Sequence, residues 1–517
     1  MRRGHAVSSS IQVADVDGDG RAELLVAGWG LEAFDPDLRR KRFAFPAGRR
    51  PFASTPAVFS RRGGTQVLVG CDDGSLYATP GLAPSGGVFA RTGLDVYSSP
   101  VAASSTGEGE PDFVAFGSDD GKVWCLSMEA EPLPGFPVDC GSFVSATPCV
   151  ADLDGDGRPE VMVGDWNGAF HALTLEGREL PGFPHVAGSA IWSSATAADI
   201  DGDGAQELVF ATRRLHALRG DGSVAAGFPR LLGSYAVGSP VVVDLDGAGR
   251  ATILLGADRL YAFDGAGNTR TGFPVTLDGF IWASPVTAES GQSGEQAAFV
   301  GTWGGGVHRI SRDGGSERLR ACKAPIFSTP AIIPGGQGPC VLGAASWDGR
   351  VHADVLEGWV VSERCWPSFH RTMGNVRANP ARFVPPALPP AEPEAPPAGP
   401  RPAVHSAHTK PGAPRHRRAV FLRFEGEGLD QLERARVVYR VAGEDREHPT
   451  PLLLDGAGAV ALVQPLGVGR RVMYHLEGRT FSGDSLRYPE NESNSYAVER
   501  LGPLPVGKLV ARLDRWN

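Results

Sequence analysis

Residues 152–160 read Asp-Leu-Asp-Gly-Asp-Gly-Arg-Pro-Glu and run straight into the apolar stretch Val-Met-Val-Gly. The pattern returns at 15–23 ("DVDGDGRAE") and 199–207 ("DIDGDGAQE"), with a faded copy at 244–252 ("DLDGAGRAT"). Asp152, Asp199 and Asp244 are 47 and 45 residues apart. A fixed period of that length marks a repeat architecture, in which no unit can bury its own faces and neighbours must stack.

Eight units follow this clock over residues 7–372. Each opens with small residues: "VSSSIQVAD" from Val7, "FASTPAVF" from Phe52, "VYSSPVAA" from Val96 and "VSATPCVAD" from Val144. The later openings are "IWSSATAAD" from Ile191, "AVGSPVVVD" from Ala236, "IWASPVTA" from Ile281 and "IFSTPAII" from Ile326. A second β-rich run ("EVMVGD", "ELVFAT") and a third ("KVWCL", "AFHAL", "RLYAF") come next. A fourth carries "GFP", with Phe136, Phe183, Phe228 and Phe273 in step. Four short strands per 45 residues is the pattern of a propeller blade. The 69 glycines and 42 prolines fit a turn-rich, all-β chain.

The expected fold is therefore all-β. An eight-bladed β-propeller covers 1–383, with a seven-bladed ring as the alternative. The last unit is expected to own its fourth strand, "CWPSF" at 365–369, so that packing of blade on blade closes the ring. Residues 384–415 form a Pro-rich linker acting as a semi-rigid spacer. Residues 416–517 hold six or so alternating strands, from "AVFLRF" to "SNSYAVE", and read as a small β-sandwich of immunoglobulin or fibronectin-III type.

In the three full loops, Asp15, Asp17 and Asp19, Asp152, Asp154 and Asp156, and Asp199, Asp201 and Asp203 occupy positions 1, 3 and 5. The backbone carbonyls of Arg21, Arg158 and Ala205 serve position 7, and Glu23, Glu160 and Glu207 stand at position 9. Four carboxylates on nine residues repel unless a hard cation neutralises them, and an all-oxygen set of this kind suits Ca2+, giving about three sites. The loops are not EF-hands, because position 12 is Val26, Val163 or Phe210 inside a strand. In the copy at Asp244, Ala248 and Thr252 replace two ligands, and no metal is expected. Metal at inter-strand turns is structural rather than catalytic.

Other constellations carry less. The aligned third-strand residues Glu32, Tyr77, Trp124, His171, His216, Tyr261, His308 and His352 would form a wide ring, not a cluster. On the first strands, Tyr97, Trp192, Trp282 and Phe327 offer flat rings at one mouth of the channel. They are candidates for stacking on a ligand, or else for plugging the axis. No nucleophile elbow, zincin motif or phosphate loop occurs in a fitting context.

The net charge of −9 is modest, and no basic run with interleaved aromatics points to nucleic acid. No stretch of eighteen apolar residues exists to form a transmembrane helix. Met1-Arg2-Arg3 resembles the start of a signal peptide, but no apolar core follows. A removed export signal, a start upstream and a cytoplasmic protein all remain open, with an extracellular or cell-surface location expected. The seven cysteines are odd in number, and one pair among Cys125, Cys140 and Cys149 is close enough in sequence to bridge.

The combination "CVADLDGDG…EVMVG", a glycine turn before "AFHAL" and a "GFP" segment resembles the FG-GAP (VCBS-type) repeat family. Its calcium loops and propeller are shared with the head of integrin α subunits. "WPSFHRTMGN" resembles the ending common in bacterial members. The resemblance implies a non-enzymatic, calcium-stabilised scaffold that binds a protein or glycan ligand in adhesion. The rival readings are a carbohydrate-active enzyme of the polysaccharide-lyase propeller type and a structural subunit of a larger assembly.

Overall fold

The computed structural model describes residues 9–488 apart from 39–40, 47–49, 62–63, 82–85, 336–337, 363, 369–377, 380–382, 393, 395–402, 413–417, 428, 442–446, 455–457, 467–471, 481 and 483. The strand expected at "SNSYAVE" lies outside them. Eight antiparallel sheets follow one another along the chain, at 12–46, 57–91, 101–139, 149–186, 196–231, 241–264, 286–321 and 331–356. They are numbered sheets 1 to 8 below. Sheet 4 is representative, with strands Cys149–Ala151, Glu160–Gly164, Ala169–Leu173 and His185–Val186 in that order. Its second strand is a continuous apolar run because both faces are covered. Val161 and Val163 enter the core shared with sheet 3, and Met162 enters the core shared with sheet 5.

Such a core fills every junction between consecutive sheets, and an eighth joins sheet 8 to sheet 1 through Ile11, Leu24, Val26, Ala331, Ile333 and Ala345. The circle is also closed by hydrogen bonds at the small-residue openings. The backbone N–H groups of Ser10, Thr55, Ser99, Thr147, Ser194, Ser239, Ser284 and Thr329 each donate to the hydroxyl of the next residue in that series. Thr329 returns to Ser10, and all eight distances lie between 2.9 and 3.3 Å. The preceding serine often ties its own sheet together: Ser193 Oγ donates to Ala211 O and accepts from Ala211 N, both at 2.8 Å. The openings are small and hydroxylic because first strands crowd at the axis, where a buried N–H needs a partner.

The "GFP" segment is the turn that leads into the short fourth strand rather than the strand itself, with each Phe–Pro bond cis. Phe136, Phe183 and Phe228 anchor the turn in the junction cores. Its glycine meets the turn of the next sheet. A β-carbon on Gly182 would lie 2.0 Å from Asp221 O, and one on Gly222 would lie 2.5 Å from Gly182 O. The same contact repeats as Gly135 with Gly177, Gly227 with Gly267 and Gly272 with Gly314.

Three expectations about the end of the chain change. Among the described residues sheet 8 has three strands, and residues 365–368 of "CWPSF" do not add a fourth. Trp366 is instead fully buried in the core between sheets 6 and 7, and its backbone pairs with Thr287 on the first strand of sheet 7. The indole finds more apolar cover there than an outer edge provides. Pro367 O accepts from Ile332 N, and Ala378–Asn379 lies parallel to the first strand of sheet 5, so both of these pieces lie beside first strands.

Residues 383–394 are no free spacer. Val384 N donates to Gly249 O at 2.7 Å and Ala391 N to Ala266 O at 2.9 Å, while Asn268 Nδ2 donates to Pro389 O at 2.9 Å. Arg230 holds Glu392 O at 2.6 Å and the Glu394 carboxylate. The segment is a strap laid along sheets 5 and 6.

Ala403–Gly412, expected as linker, is a strand paired with Arg418–Glu427. An edge position lets it carry Pro411. It opens a seven-stranded unit whose further strands are Leu432–Val441, Glu447–Leu454, Gly458–Leu466, Val472–Thr480 and Ser485–Tyr488. Along Glu447–Leu454, residues 447–451 pair with Leu432–Val441 and 452–454 with Gly458–Leu466.

Candidate functional site

The acidic loops join first to second strands at one end of the ring axis. All three share one hydrogen-bond pattern. In the sheet 4 loop the Asp152 carboxylate accepts from Gly155 N at 2.8 Å and Gly157 N at 3.0 Å, and Asp154 accepts from Asp156 N at 3.1 Å. Asp156 accepts from Arg158 N at 2.7 Å, and Glu160 from Leu153 N at 2.8 Å. Asp15 and Asp199 take the matching glycine amides, and Asp19 and Asp203 those of Arg21 and Ala205. The glycines lie at positive φ, +79° at Gly155 and +87° at Gly157, which winds the loop tightly enough to aim alternate carboxylates inward.

Carboxylate oxygens of Asp15, Asp17 and Asp19 converge within 4.8 Å of one another, as do those of Asp152, Asp154 and Glu160 and those of Asp199, Asp201 and Asp203. Asp156, Glu23 and Glu207 stand outside these triads. Burial, followed by the neighbouring aspartates, pushes the Glu23, Glu160 and Glu207 carboxyls up to about 7, against a single backbone hydrogen bond that lowers each. Glu23 Oε1 and Glu207 Oε1 are buried without a hydrogen-bond partner. An all-oxygen donor set with orphaned buried oxygens fits a hard divalent cation, so these clusters can hold a metal ion.

Two related loops handle their charge differently. In sheet 6, Arg270 donates to Asp246 Oδ2 at 2.8 Å and to Thr252 Oγ1 at 2.9 Å. Arg364 reaches Asp244 at 3.4 Å and Glu289 at 2.8 Å. Guanidinium groups supply the positive charge there. In sheet 3 the loop 104–112 keeps the winding, with Gly107 and Gly109 at positive φ. Ser104 and Thr106 hydroxyls, both bonded to Glu108 O at 2.6 and 2.9 Å, replace the carboxylates. That copy went unseen in the sequence because hydroxyls stand at positions 1 and 3, although the paired glycines mark it. A cleft of about 590 Å³ lies among the loops of sheets 3, 4 and 5, lined in part by Ser104, Pro111, Asp152, Asp154 and Gln206.

At the other end of the axis the four candidate aromatic residues divide. Trp282 and Phe327 come together at 5.5 Å in a cluster with Phe280, Trp303 and Trp347. Trp192 packs separately on Trp166 at 3.9 Å. The Tyr97 hydroxyl is pushed well above its ordinary range by burial, then by Asp72, Asp95 and Asp119, with Tyr439 of the C-terminal unit also near. Trp166, Trp303 and Trp347 were missed, yet each stands within two residues of the end of a second strand, in "DWNG", "TWGG" and "SWDG".

The C-terminal unit sits on this mouth. Its Phe424, Leu429, Leu432, Leu453 and Leu476 share one core with Tyr235, Trp303, Phe327 and Trp347, and Trp282 packs against it. Tyr235 Oη donates to Leu432 O at 3.3 Å, and the Arg213 guanidinium donates to the same carbonyl. Leu454 N donates to Ser234 Oγ at 2.9 Å, and Arg434 to Asn167 O at 2.9 Å.

The third-strand histidines do not converge, and each bonds a neighbour of its own: His171 Nδ1 with Glu179, His216 with Thr212, His308 with Asp278 and His352 with Ser346, while His171 Nε2 is buried without a partner. All seven cysteines are free and six are buried, including Cys125, Cys140 and Cys149, so they act as small hydrophobes.

A model of the FG-GAP-like repeat matches residues 152–210, which span the loops of sheets 4 and 5. No curated protein matches the sequence. Among solved structures, Sqt1 of Saccharomyces cerevisiae is similar at 12% identity, over 69% of this chain and 97% of that one, with a TM-score of 0.51. BamB from Moraxella catarrhalis is similar at 16% identity, over 70% and 98%, with a TM-score of 0.49. Both are β-propellers, and at this identity the likeness to Sqt1 bears on the fold alone.

Proposed function

We propose that this chain is a calcium-stabilised, eight-bladed β-propeller that serves as a binding and adhesion scaffold for a protein ligand and catalyses no reaction. The count of eight rests on the eight sheets, the eight junction cores and the eight-membered hydrogen-bonded circle. Calcium is chosen over smaller or softer ions because flexible loops of carboxylates and one carbonyl suit six to eight oxygen ligands. Calcium there would neutralise repelling carboxylates and pin first to second strands, with no chemistry of its own. We read the C-terminal unit as a β-sandwich of immunoglobulin or fibronectin-III type, since a strand that changes partners joins two layers. An extracellular or cell-surface setting supplies enough calcium for loops of modest affinity.

The observation that carries the protein-ligand reading is the occupant of the aromatic mouth. A surface that takes Leu432, Leu453 and a backbone carbonyl is shaped for polypeptide, and propellers commonly present such surfaces to protein partners. With that mouth filled, the loop end of the ring, including the cleft at sheets 3 to 5, is the face left for an outside partner. Arg213 and Tyr235, the groups at the mouth that a lyase would need, donate to the Leu432 carbonyl instead. A glycan ligand is the second reading, favoured by Trp192 and Trp282, which keep part of their surfaces exposed.

Pull-down and a glycan array, each in calcium and in chelator, decide between them. The expected result is a calcium-dependent protein partner whose footprint falls on loops 104–111 and 152–160, with a blank array. A glycan signal lost on Trp192→Ala or Trp282→Ala would replace the protein ligand by a sugar.

A further inference from the structure

The three acidic loops are alike in sequence but not in surroundings. A β-carbon on Gly18, Gly155, Gly157 or Gly204 would meet nothing within 4 Å. On Gly202, in the sheet 5 loop, it would stand 2.6 Å from Pro385 N and 2.9 Å from Phe383 O. The strap therefore lies directly on one metal loop and leaves the corresponding surfaces of the other two open.

We propose, building on the calcium reading above, that filling the sheet 5 loop seats the strap and, through it, the C-terminal unit on the mouth. Ile200 makes the loop a bearing surface, and sheet 6 holds the strap on either side of it. Ile200, the second residue of the loop, shares a core with Phe383, and its carbonyl is pressed against Gly265 so closely that a β-carbon there would overlap it. The residue after Gly265, Ala266, accepts the hydrogen bond from Ala391 N that holds the far part of the strap. From the other side Val384 pairs in parallel with Arg250, in the loop of sheet 6. Since Arg270 and Arg364 already fill that second loop with charge, it is a fixed wall, and the sheet 5 loop is the side that a metal can change.

Without metal, three convergent aspartates, relieved only at Asp201 by Arg219 at 3.6 Å, and the orphaned Glu207 Oε1 favour opening of the loop, which moves the surface under Phe383–Pro385. Beyond Glu394 the chain leads to the strand Ala403–Gly412, so strap and C-terminal unit are covalently in series. Coupling of this kind is reciprocal, and a seated strap raises the calcium affinity of this loop above its value with the strap displaced.

The test is amide hydrogen exchange on the full-length protein, in calcium and after chelation, with calcium uptake measured in parallel. The readouts are Val384 and Ala391 in the strap and Leu454 at the seat. Gly202→Ala is compared with Gly155→Ala, because both glycines have nearly the same positive φ, +80° and +79°, and only Gly202 touches the strap. Calcium at about ten times its dissociation constant should slow strap exchange about tenfold in the wild type. Gly155→Ala should keep that protection and Gly202→Ala should lose it. Calcium uptake with unchanged strap exchange would overturn the coupling and leave the calcium reading standing. Absence of uptake would overturn both, and equal loss in the two variants would assign the effect to loop strain and overturn the coupling.

Discussion

At the residue scale the repeat is written in glycines and hydroxyls as much as in carboxylates. Gly182 tests this directly. Its φ of +83° disfavours any side chain, and a β-carbon would also overlap the Asp221 carbonyl of the next sheet. Gly182→Ala should cost about 2–4 kcal/mol in urea denaturation. Gly141→Ala, at φ +79° with nothing within 4 Å, should cost only the backbone term of about 1–2 kcal/mol. Equal losses would show that the inter-sheet glycine contact contributes nothing. The aspartates were legible in the sequence because four like charges on one short loop have few physical explanations. The role of "SS" and "ST" was not, since a serine that bonds across a junction looks no different from one in a solvated turn.

At the scale of the element, the circle of hydroxyls and the acidic loops sit at opposite ends of the first strands. Ser194→Ala removes the acceptor of the buried Thr147 N–H while Ser194 N still donates to Ser239. The expected loss is about 1–3 kcal/mol, and Ser194→Thr should restore most of it. A threonine variant no better than alanine would mean the hydroxyl is not what the junction uses.

The loops carry a pH signature. In metal-free protein Glu23, Glu160 and Glu207 keep their protons up to about 7, against 4.5 for an ordinary glutamate. The folded form then binds more protons than the unfolded chain between those values. That stability is fully present below about pH 4.5 and is lost as pH rises through about 7, by up to roughly 3 kcal/mol per group. Calcium displaces the protons and removes the penalty, so its effect on Tm should be large near pH 7.5 and shrink towards about pH 5.5. A calcium shift in Tm that grows on acidification would contradict this assignment.

For the whole molecule, the period of the acidic loops gave the ring, and short-range pattern then failed where the chain stops repeating. "CWPSF" and the proline run have ordinary edge-strand and linker compositions. Their destinations, a buried slot between sheets 6 and 7 and a track across sheets 5 and 6, are set by surfaces contributed from distant parts of the chain, as Thr287 is from Trp366 and Ala266 from Ala391. The aromatic mouth was found in part through Trp282 and Phe327, but nothing local says that Phe424, Leu432 and Leu453 share its core. Removing both donors to the Leu432 carbonyl, by Arg213→Ala with Tyr235→Phe, should speed proteolysis within 432–454 several-fold. Unchanged proteolysis would mean the apolar core alone holds the unit.

Calcium titration of chelator-stripped protein by calorimetry, near neutral pH, bears most directly on the account. The three acidic clusters predict about three ions per chain and a raised Tm, with Asp154→Asn reducing the count by one. A protein that melts at the same temperature in calcium and chelator, with no heat of binding, would contradict it.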